Sequence, residues 1–212
     1  QLEHDASFQR HGPFAAMTEF LETCITAFAR GAPGDQHLVF KAHPLEDGRA
    51  PLRADIRRLA RAHGLRGRVH FIRGGKLAHL LDGALGAVTV NYTAGQQALW
   101  RGLPLRALGA AIYDKPGLVS DQPLEAFFAD PAPPDSAAYR DFRRFLLQTS
   151  QLPGVFYSAR GRRLLLGTLP DLILAETDPY DRLLPPARPG AASATAAPPL
   201  GAASRPQPDS VH

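Results

Sequence analysis

Between Pro13 and Gly31 the large apolar residues fall at Phe14, Met17, Phe20, Leu21, Cys24, Ile25 and Phe28. Steps of three and four predict an amphipathic helix, with Pro13 as its first helical residue and Gly31 as its stop. The pattern then changes. HLVFK at 37–41 is a short apolar run that reads as a strand, and Pro44 ends any sheet pairing. Residues 51–63 return to helical spacing, with Leu52, Ile56, Leu59 and Ala60 on one face and arginines on the other. Val69–Ile72 is a second strand; Leu77, Leu80 and Leu81 mark a short helix. Gly86–Val90 is a third strand, Gln96–Arg101 a helix, and Leu105–Leu108 a fourth strand. Further helices are predicted at about 123–129, 135–148 and 158–176. The polar stretch 1–12 reads as a loop between domains.

Strands alternating with helices at this interval predict parallel βαβ units, an α/β fold. The strands are apolar without alternation, which suits a sheet covered on both faces. One domain is expected over 13–182. From Leu183 the text becomes LLPPARPGAASATAAPPLGAASRPQPDSVH, rich in Pro, Ala and Ser and nearly without large apolar residues. Such a segment buries too little to offset the entropy of ordering, so 183–212 is expected to be a disordered tail.

Charge refines this picture little. Lys and Arg number 24 against 20 Asp and Glu, and arginine supplies nearly all of the positive charge. That balance suits phosphate-bearing ligands or an anionic membrane face, and equally a genome whose codons favour Arg, Ala, Gly and Pro. The single cysteine, Cys24, excludes an internal disulfide; its apolar neighbours predict a buried thiol and a reducing compartment. No run approaches the roughly 18 apolar residues of a membrane span. Gln1 opens without a leader or a methionine, and the chain reads as a portion of something longer.

Open α/β sheets bind ligands beyond the C-terminal ends of their strands, and two segments there carry chemistry. Lys41-Ala42-His43-Pro44 delivers an ammonium and an imidazole to the sheet edge, with Pro44 setting the direction after His43. Such an imidazole can donate to a phosphate or exchange a proton; an ordinary loop carries the same His-Pro. Asn91-Tyr92-Thr93-Ala94-Gly95 leads from the third strand into a helix, where amides and the helix dipole suit an anion. Thr93 is a candidate cap, and Gly95 permits close backbone approach. A plain capped helix start reads identically. A third loop, Ala111–Leu118, packs Tyr113, Asp114 and Lys115 before a Pro-Gly turn; it suits contact with a sugar or ribose, or simply a surface turn. No His/Cys spacing suggests a metal site, no nucleophile elbow is present, and no basic run with interleaved aromatics suggests nucleic acid. Arg57, Arg58 and Arg61 read as a solvated helix face.

Taken in order, QLEHDASF, HGPF, LVFKAHPLEDG, VTVNYTAGQQALWRGLPLRALGAAIYDKPGLV and YRDFRRFLLQTSQLPGVFY resemble one family over about residues 1–165. It is the capsular polysaccharide export/biosynthesis family of KpsS/LipB type, the β-Kdo transferases of bacterial capsule assembly. The resemblance implies a Rossmann-like parallel sheet flanked by helices, as in the C-terminal, donor-binding domain of a metal-independent GT-B glycosyltransferase. It implies transfer of Kdo from CMP-Kdo, with retention, to a phosphatidylglycerol-type phospholipid acceptor. No cofactor is needed beyond CMP-Kdo as donor substrate, and the expected location is cytoplasmic, peripheral at the inner membrane. Lys41, His43 and Pro44 match the family's Lys-x-His-Pro, which implies contact with the CMP phosphate and ribose. Asn91, Thr93 and Gly95 match its Asn-Ser-Thr-x-Gly, with Tyr92 in place of serine. Asp5 falls in a stretch that resembles the interdomain cleft, and with Tyr113 and Asp114 is a candidate sugar or ribose contact. Catalytic residues and the acceptor site are expected outside this chain, so the isolated chain is expected to be inactive. A non-catalytic capsule-assembly or membrane-docking protein, associated with other capsule biosynthesis proteins, is the alternative. A different GT-B enzyme, such as a sugar-nucleotide epimerase, is another.

Overall fold

The computed structural model describes residues 2–46, 48 and 51–183. The expectation for 183–212 therefore lies almost wholly outside the described residues. The described residues fall into two compact units, one up to Gln148 and one from Thr149 to Leu183.

The first unit alternates helix and strand. Helix α1 spans Ala6–His11 and α2 spans Met17–Gly31; then follow β1 (Leu38–Lys41), α3 (Leu52–Ala62), β2 (Val69–Ile72) and α4 (Leu77–Asp82). The order continues with β3 (Ala87–Thr89), α5 (Ala94–Trp100), β4 (Leu105–Ala107), α6 (Leu124–Ala129) and α7 (Ser136–Thr149). In the second unit α8 runs from Ala159 to Ile173, capped by the Ser158 hydroxyl on the Gly161 amide at 3.0 Å.

The predicted elements are present, with two corrections at the start. Residues 6–11, read as loop, form α1. Asp5 caps it by accepting the Ser7 amide at 2.9 Å, and Phe8 is fully buried beside Met17 and Val90. A single apolar residue inside a polar stretch carries no periodicity, so the pattern could not show it. Helix α2 begins at Met17 and not at Pro13; the Glu3 carboxylate accepts the Met17 amide at 2.7 Å and marks the true start.

The strands pair in parallel, as the crossover helices require. Leu38 to Lys41 align with Val69 to Ile72, and Ala87 to Thr89 with Leu105 to Ala107. Parallel strands flanked by helices are compatible with the expected Rossmann-like sheet. Among the described residues there are two two-stranded sheets, β1-β2 and β3-β4, because β1 and β3 share no ladder.

Among the described residues two larger apolar clusters hold the unit together, beside the small one around Phe8. The larger joins α2, α3 and α6 through Leu21, Ile25, Phe28, Ile56, Leu59 and Phe127. Full burial of each such side chain contributes about 1.5–3 kcal/mol. Cys24 lies within it, 1% exposed, and burial pushes its thiol pKa well above the usual range. The second cluster places Leu99, Leu105, Tyr113 and Leu118 around β4 and α5, with Tyr139 and Phe142 of α7 against it. Among the described residues no helix is long and apolar enough to cross a membrane.

Candidate functional site

β1 and β3 end side by side. His43, two residues past β1, turns its Nε2 to the hydroxyl of Tyr92, three residues past β3, at 2.8 Å. The two rings meet edge to face with centroids 5.4 Å apart. This contact bridges 49 residues of sequence. It brings the two chemically loaded segments to one place, the mouth of a cavity of about 990 Å3.

The turn after β1 sets the state of His43. The Leu45 amide donates to Nδ1 at 3.1 Å, and the Glu46 amide donates to the His43 carbonyl at 3.0 Å. With Nδ1 accepting, the neutral ring carries its proton on Nε2 and donates it to Tyr92. Burial lowers the imidazole pKa from its ordinary value, the Lys41 charge adds to this, and Asp5 and Glu46 pull the other way. Protonating Nδ1 would also break the Leu45 contact. Tyr92, accepting from His43, keeps its own hydroxyl proton for an oxygen-rich neighbour.

The far side of the mouth is anchored in the core. The Tyr92 carbonyl accepts the Gly95 amide at 3.0 Å and the Tyr113 hydroxyl at 2.6 Å. Tyr113 is 1% exposed, and burial pushes its phenol pKa up to about 12. The Tyr92 amide donates to Thr89 Oγ1 at 3.3 Å. Asn91 is 8% exposed and its Nδ2 donates to the Ser7 carbonyl at 2.7 Å, tying β3 to α1.

Of the residues singled out from the sequence, Lys41, His43, Pro44, Thr93 and Gly95 all line this cavity. Asn91 is buried beside it and holds α1. Asp5 caps α1 within electrostatic reach of His43. Tyr113 has its hydroxyl engaged inside the core, so it supports the site from beneath. Asp114 lines a separate open hollow of about 520 Å3 with Arg10, His11 and Gly109.

Three local readings change. Gly95 admits Tyr113: a Cβ there would stand 2.5 Å from the phenol oxygen and 2.6 Å from the ring carbon bearing it. Thr93 makes no side-chain cap and has helical backbone angles. The Gly95 and Gln96 amides, which the pattern would offer to an anion, are engaged by the Tyr92 and Thr93 carbonyls at 3.0 Å each. The chemistry of the mouth therefore rests on side chains: His43, Tyr92 and Lys41. Tyr92 is the residue that sequence reasoning undervalued. Its long reach, where a serine would fall short of His43, was the available signal. Among the described residues no group of three or more His, Cys, Asp or Glu gathers in a way that could hold a metal ion.

Comparison with known proteins identifies the family. Residues 1–157 match the family model for capsule polysaccharide biosynthesis proteins. The capsule polysaccharide modification protein LipB of Neisseria meningitidis serogroup A is 34% identical over 159 residues, covering 74% of this chain and 38% of LipB. The capsule polysaccharide export protein KpsS of Escherichia coli is 32% identical over 157 residues, 74% of this chain and 40% of KpsS. The chain thus spans about two fifths of the length of these curated relatives. No solved structure matches it. The match covers the whole βαβ framework and both segments at the cavity mouth, and the chain belongs to the capsule polysaccharide biosynthesis protein family.

Proposed function

We propose that this chain is the donor-binding part of a capsule glycosyltransferase. It takes CMP-Kdo, and the complete enzyme transfers Kdo with retention to a phosphatidylglycerol-type lipid primer at the inner face of the membrane. Lys41 supplies positive charge for the phosphate, and the Tyr92 hydroxyl and His43 supply donors for phosphate or ribose oxygens. The acceptor site and the catalytic groups belong to residues outside this chain, so the isolated chain binds nucleotide and turns over no sugar.

The observation that carries this reading is the His43–Tyr92 contact at the cavity mouth. It sets two polar donors and a lysine at the C-terminal ends of parallel strands, where α/β folds hold nucleotides. Hydrogen bonds to a charged phosphate contribute about 1.5–3 kcal/mol each. In calorimetry with CMP, His43→Ala should weaken binding at least about tenfold while the melting temperature stays put. UDP should bind the unaltered chain more weakly than CMP. Equal CMP affinity for the two proteins rejects the assignment.

A second reading has its own observation in the second unit. Phe156 and Tyr157 are 68% and 97% exposed, Leu164 and Leu166 are exposed on α8, and Arg160, Arg162 and Arg163 share that stretch. Apolar side chains beside arginines suit an anionic bilayer surface. Salt-sensitive flotation with anionic liposomes, without any CMP affinity, would favour a docking protein over a donor-binding one.

A further inference from the structure

The cavity beside His43 extends well below its polar mouth. Its wall takes consecutive residues of two strands, 37–44 through β1 and 83–90 through β3. Side chains along a strand alternate between faces. A hollow over one face is lined by every second residue; a hollow lined by all of them runs along the strand's edge. β2 contributes only Phe71, and β4 only Leu105. The cavity is therefore a slot between the edge of β1 that faces away from β2 and the edge of β3 that faces away from β4.

The backbone pattern agrees. In a parallel ladder the amide and carbonyl of one residue point to one side, and those of the next residue to the other. Leu38 and Ala42 donate toward the β2 side at 2.8 and 2.9 Å. That puts the amides and carbonyls of Val39 and Lys41 on the slot. Ala87 donates to the Pro104 carbonyl at 2.8 Å, and the Thr89 carbonyl accepts Leu108 at 2.9 Å, which puts those of Val88 on the slot's other rim. The floor is apolar, with Phe20, Leu21 and Phe28 of α2 and Phe127 of α6. Exposure runs against the sequence pattern: Val39 is 42% exposed and β3 is only half-buried, though both strands read as covered on two faces.

We infer that the slot seats a fifth strand, parallel to β1 and β3, formed by the polypeptide immediately upstream of Gln1 in the longer protein. Three observations fit this occupant. A parallel strand would end at the same end as β1 and β3, beside His43 and Tyr92. The first described residues lie at that end, since the Ser7 carbonyl accepts Asn91 Nδ2 and Asp5 is in electrostatic reach of His43. Residues 2–5 then form a short connection from the strand into α1, of the length usual between strand and helix. The relatives it matches are longer, since the chain covers 38% and 40% of them. A lipid tail could fill the apolar floor but would leave the Val39, Lys41 and Val88 backbone groups unpaired, a costly arrangement. A strand pairs all of them. The filled slot would leave only its polar mouth open.

The test compares the 212-residue chain with the same polypeptide extended upstream as its gene encodes, using residue-resolved amide exchange. The Val39, Lys41 and Val88 amides should exchange at least about a hundredfold more slowly in the extended protein, approaching Leu38 and Ala87. Val88→Pro is the second arm, since a proline is tolerated where the N–H leaves the ladder. It should cost the 212-residue chain only the packing of the half-buried Val88 side chain, and lower the melting temperature of the extended protein by about 10 °C more than that. Equal exchange at the three amides in both proteins overturns the inference, as does an equal proline effect. Slowing that appears in the short chain and grows with its concentration assigns the slot to a second copy and also overturns it.

Discussion

The pairs β1-β2 and β3-β4 are alike in length and direction and differ in how their exits are held. Beyond β3, Tyr92 is fastened to the core: its carbonyl takes both the Gly95 amide and the buried Tyr113 hydroxyl, and neighbouring Asn91 reaches α1. Beyond β1, His43 is held by its own turn, through the Leu45 and Glu46 amides, and Leu45 is 74% exposed. One wall of the site is positioned by packing and the other by local hydrogen bonds. Substitutions on the β3 side should therefore register first as lost stability, and those on the β1 side as lost binding.

The sharpest way to break that comparison is Gly95→Ala. The added methyl would stand inside the Tyr113 phenol, which has no room to withdraw. Overpacking of this kind costs about 1–3 kcal/mol or more, so the melting temperature should fall by about 5–10 °C. An unchanged melt would show that the β3 side is as loosely held as the β1 side. Tyr113→Phe is milder. It removes one of two bonds to the Tyr92 carbonyl, a loss of about 1 kcal/mol. A melt lowered by about 2–4 °C with CMP affinity nearly kept is expected; a larger loss of binding than of stability would place Tyr113 in direct contact with ligand.

The smallest effect is on pH dependence and belongs to the β1 side. The folded His43 pKa lies below its ordinary 6.5. The unfolded chain therefore takes up the proton first as pH falls. The contribution of His43 to stability is complete above about 6.5 and is lost as pH drops toward the folded value. A bound phosphate favours the imidazolium, so anion affinity should change in the opposite sense. A CMP methyl ester, whose single phosphate charge is constant, should bind about threefold more tightly at pH 6 than at pH 8. The same rise in His43→Gln would assign the proton to another group.

Much of the fold was legible in the sequence because it rests on local periodicity. The spacing Met17–Leu21–Cys24–Ile25–Phe28 and the runs LVFK, VHFI and AVTV each specify their element within a few residues. The parallel pairing follows because helices of this length cross between strands. The two segments that meet at the cavity mouth were legible too, since each follows directly on the C-terminal end of a strand. Their internal wiring was not. Phe8 looked like a loop residue because one buried ring leaves no repeat. Gly95 looked open to close approach from outside, because nothing in the local text shows a tyrosine 18 residues later filling the space beside it.

What the sequence alone determined, then, is which residues form strands and helices and which polar groups follow each strand, for these depend on neighbours within a few positions. Only the tertiary structure decided that the His43 ring donates to Tyr92, that Tyr113 lies inside and not on the surface, and that β1 and β3 face each other across a slot. Each of these is a contact between residues far apart in the chain. Such contacts are set by the packing of whole elements, which a one-dimensional pattern does not encode.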